Sequence, residues 1–171
     1  MEIITCVREG AITHEDSLGD KGRSEAGDVQ VMSAGTAIRH GEFNRDDGTT
    51  KIFQIWIEPS RSGEPPAWGA RPFPKGARSG SFVALASGMA NDGDALPIGP
   101  TPVFSAPPWR PGETSEYTLG AGRHAYLAPS RGSIEINGVR LGERDGAAIA
   151  DESLLRITAL GDAEPVLVDA L

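Results

Sequence analysis

The chain carries three histidines, His14, His40 and His124, and a single cysteine, Cys6, so metal or acid–base chemistry has to be built from imidazole and carboxylate. One place sets the two side by side at strand spacing, His40-Gly41-Glu42. Successive side chains of an extended segment alternate between faces, which puts His40 and Glu42 on the same one. An imidazole and a carboxylate so placed are two of the nitrogen and oxygen ligands that a non-haem iron site uses. The same pair equally suits a wet strand face where the two groups simply hydrogen-bond. His14 stands beside Glu15 and Asp16, which suits a polar strand end entering a solvated turn. His124 has no second histidine or glutamate at strand spacing and Glu135 has no neighbouring imidazole, so no metal is expected in the C-terminal part. A lone cysteine forbids an intramolecular disulfide or a cysteine-based zinc cluster, and the apolar flanks of Cys6 mark a packed strand residue.

The elements that must hold these groups read as many short strands. Glycine (22) and proline (13) punctuate the chain at short intervals, while apolar residues gather in brief β-branched runs. The runs predict strands over Ile3 to Val7, Ala11 to His14, Val29 to Met32, Lys51 to Ile57, Ser81 to Ala86, Ser115 to Leu119, His124 to Leu127, Ser133 to Ile136, Leu154 to Thr158 and Pro165 to Val168. None of them makes a convincing amphipathic helix. Five prolines between Glu58 and Gly80 cannot donate to a ladder, so this segment reads as a connector between two β units, pinned by Trp68 and Phe73. A weak repeat supports two units: Gly10-Ala11-Ile12 leads to Gly27-Asp28-Val29, and Gly132-Ser133-Ile134 leads to Asp145-Gly146-Ala147.

Several function classes fall away on composition. A formal net charge of −8 repels phosphate backbones, and the densest basic segment, Arg71 to Arg78, is broken by Pro72 and Pro74, so direct nucleic-acid binding is not expected. No run approaches the roughly 20 apolar residues that span a bilayer, so no membrane role is expected. Met1 to Thr5 lacks the basic and apolar segments of an export signal, which makes the cytoplasm the expected compartment.

The stretch from Gly27 to Asn44 resembles the second cupin motif through Gly27, Gly35, His40 and Asn44. Its Ser33-Ala34-Gly35 turn and His-x-Glu ending resemble the pirin branch. The likeness continues through Glu9 to Gly19 and Gln54-Ile55-Trp56-Ile57, and covers essentially the whole chain. It implies an all-β fold of two cupin barrels (double-stranded β-helix, jelly-roll-like) over residues 1–58 and 81–171, joined by 59–80, the first truncated at its N-terminus. In that family a metal, usually described as iron, sits in the first barrel on three histidines and a glutamate. His40 and Glu42 match the third histidine and the glutamate. The other two ligands belong to a His-x-His pair just before the segment matching Met1 to Thr5. Metal is therefore expected to be held weakly or not at all by the chain as written, unless sequence upstream of Met1 supplies the pair.

Two functions follow from the resemblance. One is a quercetin 2,3-dioxygenase-type enzyme using iron or another divalent transition metal, with a flavonol as small aromatic substrate and Glu42 as its proton acceptor. The other is a metal-poor binding or regulatory protein acting through a protein partner. A barrel short of strands exposes an edge, and self-association is the expected way of covering it.

Overall fold

A computed structural model describes residues 1–72, 81–89, 92–93, 95–105 and 108–171; Phe73 and the rest of the expected connector to Gly80 lie outside the described residues. The described residues contain strands and turns and no helix. They divide into two compact units, Met1–Lys75 with Asp94–Gly99, and Gly76–Gly93 with Pro100–Leu171.

In the first unit the strands are β1 (Glu2–Glu9), β2 (Ala11–Asp16), β3 (Lys21–Glu25), β4 (Asp28–Ser33), β5 (His40–Phe43), β6 (Lys51–Ile57) and β7 (Ala67–Pro72). They form a four-stranded sheet in the order β6-β1-β4-β7 and a three-stranded sheet in the order β3-β2-β5. Central β1 is buried on both faces over Ile3 to Val7, because its β-branched run is covered whichever way a side chain points. Its antiparallel register sets Thr5 opposite Gln30 of β4 on one side and opposite Gln54 of β6 on the other. Directly paired residues share a face, so three polar side chains form one row across three neighbouring strands.

Two strands here escape the sequence reading. Residues 67–72, expected to belong to the connector, instead pair with β4 along its whole length, Ser33 opposite Ala67 through Asp28 opposite Pro72. Proline is tolerated because Pro65 and Pro66 precede the strand and Pro72 ends it, on a sheet edge. β3 is Lys-Gly-Arg-Ser-Glu, with no apolar alternation to reveal it; only Ser24 is buried.

After β8 (Val83–Ser87), which belongs to the second unit, the two-residue β9 (Leu96–Pro97) falls in the first; the second unit continues with β10 (Val103–Ser105), β11 (Thr114–Thr118), β12 (His124–Arg131), β13 (Ile134–Ile136), β14 (Val139–Leu141), β15 (Ala147–Ile149), β16 (Leu154–Ala159) and β17 (Glu164–Ala170). Within it β15-β12-β17-β10-β8 run side by side, and β11-β16-β13-β14 make a second sheet. Between them lie Trp109, Leu127, Ile134, Leu155, Ile157 and Leu167, each essentially without solvent exposure. Phe82 meets Trp109 and Tyr117 edge-on, and Phe104 meets Tyr117 at 5.2 Å between ring centres. The interior is thus filled with aromatic and branched side chains. Asn137-Gly138 closes the β13–β14 hairpin with φ of 46° and 85°, the doubly positive pair that a tight two-residue hairpin turn requires.

Candidate functional site

Glu42 lies on β5 directly opposite His14 of β2, and His40 is opposite Asp16. From the other sheet the polar row closes on the Glu42 carboxylate. Gln54 Nε2 donates to Oε2 at 2.7 Å, and Oε1 accepts from Gln30 Nε2 and, at 3.4 Å, from Thr5 Oγ1. The row is itself tied at both ends: Trp56 Nε1 donates to Gln54 Oε1 at 3.0 Å, and Ser24 Oγ approaches Gln30 Oε1 at 3.5 Å. A carboxylate gripped by three donors from three strands has its orientation fixed. Trp56, 60% exposed, leaves a broad aromatic face beside this network.

His14 contradicts the expectation of a solvated strand end: it is 0% exposed. Its Nε2 lies 3.0 Å from Asp16 Oδ2, while Asp16 Oδ1 accepts the backbone N–H groups of Leu18 and Asp20. Burial pushes the Asp16 carboxyl up, but the hydrogen bonds from His14, Leu18 and Asp20 outweigh it and hold the group below the usual carboxylate range. An ionised carboxylate only accepts, so Nε2 of His14 is the donor in this bond, and the ring's other nitrogen is Nδ1. That Nδ1 and the Nε1 of Trp68 are buried with no hydrogen-bond partner among the described residues. Each such atom costs about 1–3 kcal/mol.

The His14 ring lies between two others. Trp68 stacks on it at 5.0 Å and 10°, and His40, itself exposed, at 5.9 Å and 18°. Gly22, opposite His14 on β3, makes room for the indole: a Cβ there would come within 2.2 Å of Trp68 Cη2.

His40 and Glu42 are the residues that could face a metal. Lone pairs of an imidazole lie in the ring plane, so two nearly parallel rings do not converge on one ion, and His14 adds no third donor. Among the described residues no group of three or more His, Cys, Asp or Glu side chains is arranged to hold a metal ion. Two donors fall short of the protein ligand set that fixes a transition metal, so these residues alone do not fit a resident ion.

Sequence reasoning singled out His40 and Glu42 and missed Thr5, Gln30, Gln54, Asp16 and Trp68. A signal was present for three of them: each is a polar residue interrupting an apolar strand, Ile-Ile-Thr-Cys-Val, Val-Gln-Val-Met and Phe-Gln-Ile. His124 lies exposed at the start of β12, and Glu135 pairs with Arg140 at 3.8 Å.

The chain is similar to known proteins over nearly its whole length. Residues 1–57 match the family model described as Pirin, and residues 84–170 match that of the quercetinase C-terminal cupin domain. A pirin-like protein of Caulobacter vibrioides is 61% identical over 170 residues, covering 99% of this chain and 73% of the relative. The quercetin 2,3-dioxygenase of Escherichia coli K12 is 37% identical over 172 residues, covering 99% of this chain and 72% of that one. Among solved structures, bacterial pirin YhhW from Escherichia coli in complex with nickel(II) superposes with a TM-score of 0.89 at 35% identity, covering 99% of this chain and 72% of its own.

Proposed function

We propose that this chain, which belongs to the pirin family, works as a cupin dioxygenase on a flavonol such as quercetin, with Glu42 as the group that takes the substrate's proton. The carrying observation is the grip on Glu42: Thr5, Gln30 and Gln54 hold an acceptor in place beside the exposed Trp56 ring. A flavonol is flat and aromatic and bears an acidic ring hydroxyl, so it pairs with an indole face and a positioned carboxylate. Removing that proton places electron density on the heterocycle, which dioxygen then opens. Both oxygen atoms enter the ring-opened product, and one ring carbon leaves with its own oxygen as carbon monoxide.

The reading brings with it a divalent transition metal, which the nickel(II) complex of YhhW supports for that relative. His40 and Glu42 are this chain's contribution toward it, and the part of the reaction assigned to the chain is proton transfer and orientation. Incubation in air with an added divalent metal should bleach quercetin and leave untouched a flavone lacking the ring hydroxyl. Equal consumption of both would contradict Glu42 as proton acceptor. A second reading, a metal-poor binding protein acting through a protein partner, draws on the acidic balance of the chain, a formal net charge of −8. It predicts no consumption of either compound.

A further inference from the structure

We propose that Trp68, His14 and Asp16 form a positioning device for His40, a stack of rings whose task is to fix the plane of that exposed imidazole on the face it shares with Glu42. The device gains its catalytic meaning from the dioxygenase reading, but its geometry stands apart from it.

Three observations carry the inference. First, the middle ring is anchored: it is buried, Asp16 holds His14 Nε2 at 3.0 Å, and Asp16 is itself held by two backbone N–H groups. Second, the rings on either side follow its plane within 10° for Trp68 and 18° for His40. An exposed side chain ordinarily samples several rotamers; one stacked with an offset against an anchored ring loses part of that freedom. The His40 backbone is fixed too, since Arg39 N donates to Ser17 Oγ at 3.1 Å and Ser17 N donates to Arg39 O at 2.8 Å, just after Asp16. Third, the arrangement is not what stability alone would select. It buries His14 Nδ1 and Trp68 Nε1 without partners, and it requires glycine at 22, where any Cβ would strike the indole. Apolar side chains would fill the same space with no polar atom stranded. Groups of this kind persist where orientation matters more than packing.

The test is nuclear magnetic resonance of the full chain with labelled histidine, whose three imidazoles are assigned with His40→Gln and His124→Gln. In the unaltered chain, cross-peaks should connect the His14 and His40 rings, and His40 ring signals should lie upfield of those of His124. His14→Phe keeps a flat ring between Trp68 and His40, so cross-peaks from that ring to His40 and the upfield position should survive. In His14→Ala the cross-peaks should vanish and the His40 signals should move to the His124 position. Trp68→Leu, which removes the outer ring but leaves the Asp16 hydrogen bond, should weaken the His14–His40 cross-peaks. Turnover of quercetin should follow the same order, with kcat falling in His14→Ala at little changed KM and recovering in His14→Phe. His40 signals that stay put in a folded His14→Ala, or His14–His40 cross-peaks of undiminished strength in Trp68→Leu where the alanine variant does not fold, would overturn the proposal. Absence of turnover in every variant, with the ring signals behaving as described, would count against the dioxygenase reading and leave the positioning role standing.

Discussion

At the scale of single residues, the first unit sets polar groups among apolar strand residues, and each such group carries a consequence. Glu42 accepts from three donors, so Glu42→Gln turns one acceptor into an amide that faces other amides and strands at least one donor. We expect a loss of about 1–3 kcal/mol, read as a lower denaturant midpoint. Cys6 is buried and burial pushes its thiol up to about 12, so it should resist thiol reagents in the folded chain and react at once in denaturant. In the second unit, burial and then the hydrogen bond to Asp169 raise the Tyr117 phenol, which donates to Asp169 Oδ2 at 2.7 Å while Arg123 Nε donates to Oδ1 at 2.5 Å. A phenol whose folded value lies above its unfolded one adds stability that is whole below about pH 10 and is lost as the pH climbs through the folded value. Denaturation of Tyr117→Phe should lack this alkaline loss, whereas an equal loss in both chains would refute the assignment. His40 and Glu42 were legible because strand spacing alone puts them on one face. His14 was not: Glu15 and Asp16 beside it look like a solvated turn, and only the pairing of β2 with both β3 and β5 shows that it faces inward.

Elements were legible where the apolar pattern was self-sufficient and obscure where a partner strand made them. All ten expected strands are present in whole or large part, among them Lys51 to Ile57 residue for residue. β7 stayed hidden because proline flanks it, and β3 because its residues gain strand geometry only from pairing with β2. β3 nevertheless has a sharp requirement at Gly22. Gly22→Ala drives a methyl into Trp68, and such overpacking costs about 1–3 kcal/mol. The thermal midpoint should fall, and the near-ultraviolet circular dichroism of the Trp68–His14 stack should change with it. A variant as stable as the parent would mean that the indole has room to move.

Across the whole molecule, the pairings that define both units join residues far apart in sequence: β1 lies between β4 and β6, and β17 lies between β10 and β12. Composition could foretell many strands and two units, and the family resemblance their cupin topology; neither could assign which strand borders which, since that depends on long-range closure. Core positions should therefore be sensitive throughout, and Leu155→Ala, at a fully buried site in the second unit, should cost about 2–5 kcal/mol in denaturant titration. The central claim, however, is chemical, and one experiment meets it directly. Carbon monoxide release is followed from quercetin in air with an added divalent metal, comparing the unaltered chain with Glu42→Gln, both verified as folded. Carbon monoxide should appear in step with quercetin loss for the unaltered chain and at a rate lower by about a hundredfold or more in the variant; no carbon monoxide from the unaltered chain, or equal rates from the two, would contradict a dioxygenase that uses Glu42 as its proton acceptor.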